Sequence, residues 1–308
     1  MDALVAMAPS RLADSTCPSG IADLLTERLK NGGANPAIFY GEQVVSYAQL
    51  CGRMKAIAIA LSEAGIKCGD KVGVFFPNHP DLVASFFAVV RIGCTVVPIN
   101  PLLKADEIAH ILSDSEAKAV IAHEQLTREL QATLPRLHEL RNVFVLSYEN
   151  GSTDKDAIDQ MVASSGKTIA ILDDKEIGKK EKSIDVAARQ IAEHGIAIAH
   201  DQLAVLVYTS GTTGNPKGAM LSHGNLLAAV ALKRSILDFR ETDRILAVLP
   251  MCHIYGLSVV MLGMVSQGGA MVICEKFETI PVLNAIESKR VTIIPAYNCV
   301  DAHGRTVT

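Results

Sequence analysis

Two rhythms of apolar positions take turns along the chain. Residues 37–46, AIFY-GE-QVVS, alternate around a two-residue turn and predict a β-hairpin. Ser46 with Gln49 three residues on forms a capping box, and Leu50, Met54, Ile57 and Leu61 then share one helical face that ends at Gly65. Residues 71–76 read as a strand, and the next helix begins at Asn78-His79 with Pro80 in its first position and stops at Gly93. A strand at 95–99, a helix from 104, a strand at 119–122, a helix from 124 and a strand at 142–147 continue the alternation. Further on come a strand at 203–208, a helix at 223–237, a strand at 244–249 and a helix at 255–265. A strand at 270–274, a helix at 280–288 and a strand at 291–294 complete the pattern. Strands alternating with helices of this length predict an α/β fold of layered parallel sheets with helices on both faces.

Residues 149–202 interrupt that rhythm. GSTDKD and DDKEIGKKEKS concentrate charge and turn formers there, which predicts a polar, solvated insertion with Lys179, Lys180 and Lys182 on its surface. The most membrane-like stretch, 256–274, is divided by Ser258, Ser266, Gln267 and Gly268-Gly269 before it reaches spanning length. A buried helix followed by a strand accounts for it, so no transmembrane segment is expected.

The chemistry concentrates where the strand at 203–208 breaks into TSGTTGNPKG. Gly211, Gly214 and Gly218 let backbone N–H groups turn toward an anion, Thr209, Ser210, Thr212 and Thr213 add hydroxyl donors, and Lys217 supplies a mobile positive charge. By composition this is a phosphate cradle. Lys217 lies between Pro216 and Gly218, so the loop is not a Walker A sequence, which needs glycine before its lysine and a hydroxyl residue after it.

Composition narrows the partners. With 308 residues, 49% of them apolar and 20% charged, the chain is long enough for a large core, and its net charge of −4 gives no basic footprint for nucleic acid. The seven cysteines are scattered, without a C-x-x-C pair or histidines at zinc spacing, and read as reduced, mostly buried thiols. Residues 1–20 carry an acidic second position and no basic start, which predicts a loose leader and a cytoplasmic protein. A peroxisomal address would require a C-terminal signal on a longer form.

YTSGTTGNPKG resembles the signature loop of the acyl-adenylate-forming, AMP-binding superfamily, which includes acyl-CoA synthetases and 4-coumarate–CoA ligases. Three further stations follow the family's pattern: GDKVGVFFPNHPD at 69–81, VVRIGCTVVPINP at 89–101 and LPMCHIYGL at 249–257. The last resembles the segment that lines the acyl pocket. His253, Tyr255 and Gly256 are therefore the expected acid-binding residues, with Met251 and Cys252 as weaker lining candidates. The resemblance implies an acid–CoA ligase that uses ATP, Mg²⁺ and coenzyme A, with Thr209, Ser210, Gly211, Thr212, Thr213, Gly214 and Lys217 on the nucleotide.

An amino acid substrate would bring an ammonium group needing a carboxylate in the pocket, and MCHIYG carries none. A neutral-tailed fatty or aryl carboxylic acid is the expected substrate. The match runs through VTIIPA at 291–296, so residues 21–308 correspond to an incomplete large domain. The family's Tyr-Gly-x-Thr-Glu segment, its ribose-binding Asp and its C-terminal lid domain with the catalytic lysine have no counterpart here. The expectation is an impaired ligase, or alternatively a non-catalytic nucleotide-binding or interaction fragment. An uncovered final strand and bared apolar faces would make the chain aggregate or depend on a partner. Monomeric elution with a cooperative melt would count against that.

Overall fold

The structure, a computed structural model, describes residues 20–148, 163, 165–180, 190–191, 195–209, 216–295, 299–300 and 306–307. Two large sheets and one short strand pair are formed by the described residues. The larger uses β3 (Lys71–Phe75), β4 (Thr95–Ile99), β5 (Ala119–His123), β6 (Asn142–Leu146), β7 (Thr168–Leu172), β8 (Leu203–Thr209) and β9 (Lys217–Ser222). Its order is β7-β6-β5-β3-β4-β8-β9, parallel from β7 to β8, with β9 antiparallel to β8. The smaller sheet has the order β10-β11-β1-β2, from β1 (Pro36–Tyr40), β2 (Gln43–Ser46), β10 (Arg244–Ala247) and β11 (Ala270–Ile273). A last short pair, β12 (Cys299–Val300) and β13 (Thr306–Val307), is antiparallel.

Alternation along the strands builds the layers. On β3, β5 and β6, Val72, Val74, Ala119, Ile121, Phe144 and Leu146 face a core shared with the smaller sheet, whereas Phe75, Val120, Ala122, Val143 and Val145 face the opposite side. The shared core takes in the helices Tyr47–Glu63 and Pro80–Arg91 and the helical stretch 256–267, which lie between the sheets. Helix Ala105–Asp114 covers the outer face of the larger sheet through Ile108, Ile111 and Leu112. Helix Thr279–Ser288 covers the outer face of the smaller one through Val282 and leaves Ile280 and Leu283 exposed.

The local signals formed as the sequence indicates. The Ser46–Gln49 capping box closes in both directions, the stripe Leu50, Met54, Ile57 and Leu61 is buried, and Gly65 takes a left-handed φ of 82°. His79 caps the next helix, with Pro80 first in it.

Four features differ from the sequence reading. Within the polar stretch 149–202, Thr168–Leu172 joins the larger sheet as edge strand β7, and helix Asp174–Lys180 follows it. There Lys180 pairs with Glu63 and Lys179 with Glu176, while Lys182 lies outside the described residues. Residues 217–222 form a strand, which takes in Lys217 and Gly218 of the loop read from the sequence and the residues up to the next helix. The stretch 254–267 includes a π-helical segment, Gly256–Met261, before an α-helical end, Leu262–Gln267. Residues 291–294 give one bridge, Ile293 to Ile245, in place of a strand. No helix among the described residues is long and apolar enough to cross a membrane.

Candidate functional site

The carboxyl edge of the larger sheet brings the signature stretch and the His253 segment together. β8 runs into the loop and β9 returns from it, with Thr209 opposite Lys217 at the mouth. Ser210, Gly211, Thr212, Thr213 and Gly214 lie outside the described residues. Both posts of the hairpin are tied to helix Ala105–Asp114. The Tyr208 hydroxyl donates to Asp114 Oδ2 at 2.6 Å, and His110 Nε2 lies 3.1 Å from the Pro216 carbonyl oxygen. Lys217 is exposed at the start of β9.

β4 lies beside β8 with Val96 level with Val205, so Asn100, just past the end of β4, is level with Thr209. Asn100 Nδ2 lies 3.5 Å from His253 Nε2. The exposed imidazole of His253 therefore stands at the same edge as the loop mouth, next to Asn100, which lies about two strand spacings from Lys217. That edge is where ligands bind in open α/β sheets.

The His253 turn is held from behind. Asn78, 5% exposed at the end of β3, donates through Nδ2 to the carbonyls of Ala247 (3.2 Å), Leu249 (3.1 Å) and Cys274 (3.3 Å). Its Oδ1 accepts from Met251 N at 2.9 Å. One amide thus ties the carboxyl ends of β10 and β11 to the larger sheet and fixes the backbone two residues before His253.

Met251 and Cys252 point into the interior, at 1% and 6% exposure, and so do not line the open edge. Burial pushes the Cys252 thiol up to about 12, which leaves it protonated and unreactive. Gly256 fits only because it lacks a side chain: a Cβ there would sit 2.4 Å from the Pro250 carbonyl oxygen and 2.9 Å from Met251 Cα. Gly256→Ala must push the His253 turn outward, and we expect a loss of about 1–3 kcal/mol in urea unfolding. A change below about 0.5 kcal/mol would show that the turn yields freely.

A second concavity, of 630 Å³, opens at the carboxyl ends of β3, β5 and β6. Arg53, His79, Asp81, His123 and Tyr148 line it. Its charges are largely matched from within. Asp81 is 1% exposed, takes both Arg53 Nε and Nη2, and also accepts from the Tyr148 hydroxyl. Burial holds His79 neutral, down to about 4, against the opposing pull of Asp81, and burial lowers His123 as well.

Asn78, Asn100 and His110 were not singled out in the sequence as site residues. The only sequence signal for them is position, each lying in a strand–helix junction or on the helix that flanks the signature hairpin.

Comparison with known proteins agrees with this architecture. The chain is 30% identical over 273 residues to a feruloyl-CoA synthase of Amycolatopsis sp, a match covering 87% of the chain and 48% of the relative. It is 29% identical over 294 residues to 4-coumarate–CoA ligase 5 of Oryza sativa subsp. japonica, covering 93% and 49%. The chain spans about half the length of these curated relatives. The inhibitor-bound N-terminal domain of FACL13 from Mycobacterium tuberculosis superposes with a TM-score of 0.69 at 25% identity, over 90% of this chain and 62% of that one. The family model described as AMP-binding enzyme matches residues 25–299, and the chain belongs to that family.

Proposed function

We propose that this chain carries the acid-activating part of an AMP-forming acid–CoA ligase, acting on a fatty or aryl carboxylic acid. In that reaction a carboxylate oxygen attacks the α-phosphorus of ATP, the bond from that phosphorus to the α,β-bridging oxygen breaks, and pyrophosphate leaves. The thiol of coenzyme A then attacks the acyl carbon and releases AMP. The observation that supports this reading is the meeting, at one sheet edge, of the β8–β9 hairpin with the His253 turn, through Asn100.

Each group has a task. Two anions must approach each other, so donors and positive charge on the triphosphate are the first requirement. Lys217, at the base of the return strand, takes charge on the β- and γ-phosphates, and Thr209 and the loop beyond it supply donors. His253 orients the incoming carboxylate or gates its channel, Tyr255 flanks it, and Gly256 lets the turn lie flat against Pro250. Among the described residues no group of three or more His, Cys, Asp or Glu is placed to hold a metal ion, so no residue is assigned to Mg²⁺.

The test is acid-dependent ATP–pyrophosphate exchange on the purified chain with long-chain, medium-chain, dicarboxylic and cinnamic acids in parallel. Lys217→Ala is expected to lower the exchange roughly tenfold to a hundredfold, the worth of one hydrogen bond to a charged group. Exchange that is unchanged in the variant would remove Lys217 from the phosphates. Absence of exchange with every acid, from folded protein, would favour the non-catalytic nucleotide-binding alternative.

A further inference from the structure

Lys233 stands where the helix His223–Ile236 should carry an apolar side chain. His223, Leu226 and Val230 are its buried positions, and the next place on that face is 233. The lysine is half-buried, and its Nζ donates to Ser258 Oγ at 2.7 Å. Ser258 is 5% exposed, and its own hydroxyl donates to the Ile254 carbonyl at 2.6 Å, so it meets the ammonium with a lone pair.

Ser258 belongs to the π-helical segment that begins just after the His253 turn. Such segments often mark functional sites, because the wider turn re-aims side chains. Among the described residues no carboxylate is paired with Lys233, and burial alone lowers its basicity. Arg234, beside it in the same last turn, is exposed. It supplies the cation that complements the helix dipole without entering the protein. A dipole role therefore leaves the inward turn of Lys233 unexplained.

The neighbourhood is amphipathic. Ile236, one turn on from Lys233, is 68% exposed, and Ile254, whose carbonyl holds Ser258, is 45% exposed. These apolar surfaces lie on the two elements that carry the ammonium and the exposed His253. Ser258 lies five positions on from His253 along the helical stretch, an axial rise of about 7 Å.

We propose that Lys233, with Ser258, is the specificity-determining contact for the far end of the acid, and that it selects a medium-length dicarboxylic acid. One carboxylate lies at His253 and is activated, and the second meets the ammonium. This rests on the acid-site reading of His253. It narrows the fatty acid of that reading to one whose tail ends in a second carboxylate, and the same ammonium would repel an amine-tailed acid.

The experiment has two arms, one independent of turnover. In the first, trace acetylation of the wild-type chain at pH 8 is read at Lys233 by peptide mass spectrometry, with adipate, 6-hydroxyhexanoate or hexanoate present. Adipate is expected to slow labelling of Lys233 about fivefold, and hexanoate by less than about 1.5-fold. Equal protection by adipate and hexanoate, protection by hydroxyhexanoate matching adipate, or protection by none overturns the proposal. In the second arm, ATP–pyrophosphate exchange is compared for adipate and hexanoate in wild type and in Lys233→Met, whose melt is checked beside wild type. The variant is expected to lose about tenfold in its preference for adipate, the worth of a charge-assisted bond. An unchanged preference in a folded variant overturns it. If no acid supports exchange, the ligase reading fails while the labelling arm still decides the tail contact.

Discussion

Asn78→Ala will lower the stability of the chain by about 3 kcal/mol, through backbone groups that lose their partner all at once. The carbonyls of Leu249 and Cys274 and the N–H of Met251 all lean on this side chain, whereas the Ala247 carbonyl keeps a second donor in Cys274 N. Met251 and Asn78 are nearly inaccessible, whereas Leu249 and Cys274 are half-buried, so the Met251 N–H carries the largest share of the loss. Asn78→Asp sharpens the test. It keeps the acceptor for Met251 but removes both donors and sets a carboxylate against three carbonyl oxygens. We expect it to cost at least as much as alanine despite its near-identical shape. Urea unfolding of the three proteins reads both numbers. A loss below about 1 kcal/mol in both variants would mean that the sheets are held together by packing alone.

Acid will destabilise the chain well above the pH at which carboxylates titrate. His79 and His223 are each held down to about 4 by burial, against an ordinary value near 6.5. His79 touches Tyr40, His123 and Tyr148 at ring separations of 4.9, 5.0 and 4.8 Å, with Asp81 and Arg53 as its charged neighbours. His223 faces Asp23 and His200, and it accepts from Ile21 N through Nδ1, leaving its buried Nε2 without a partner. Below about pH 6.5 the unfolded chain binds protons at these sites that the folded chain refuses, so stability falls as pH drops from 6.5 toward 4 and is fully present above that window. Between pH 7 and pH 5 each histidine contributes about 2 kcal/mol to the fall. Urea midpoints at pH 7, 6 and 5 should therefore drop steeply, and the slope should flatten in the double variant His79→Gln, His223→Gln. A midpoint that is level across that range would show both imidazoles charging freely in the fold.

Legibility followed the range of the interaction. The capping box at Ser46, the proline-started helix at 80 and the β8 strand were readable because each is decided within a few residues. Asn78 was readable as a junction residue but not as a tie, since its partners at Ala247, Leu249 and Cys274 come from another sheet. The apolar run TIAIL of β7 was in plain view at 168–172, yet its charged surroundings and half-exposed pattern hid an edge strand that needs only one buried side. The π-helical segment has no periodicity of its own to reveal it: Gly256 is forced against Pro250, and the turns that follow widen. At the site, the residue types at 209–217 and at His253 were legible, and the link between them through Asn100 was not. Neighbouring parallel strands β4 and β8 are separated in the chain by three other strands of the same sheet.

The smaller sheet has a biosynthetic cost. β1 and β2 are translated early as a hairpin, but β1 finds its parallel neighbour only when Met271 to Ile273 have been made. At ordinary elongation rates that interval is on the order of ten seconds or longer. Throughout it, Ile38 and Phe39 present a bare apolar strand edge to solvent or to a chaperone. Expression yield should therefore be sensitive to the pace of translation between the two segments, in a way that no property of the finished protein would reveal.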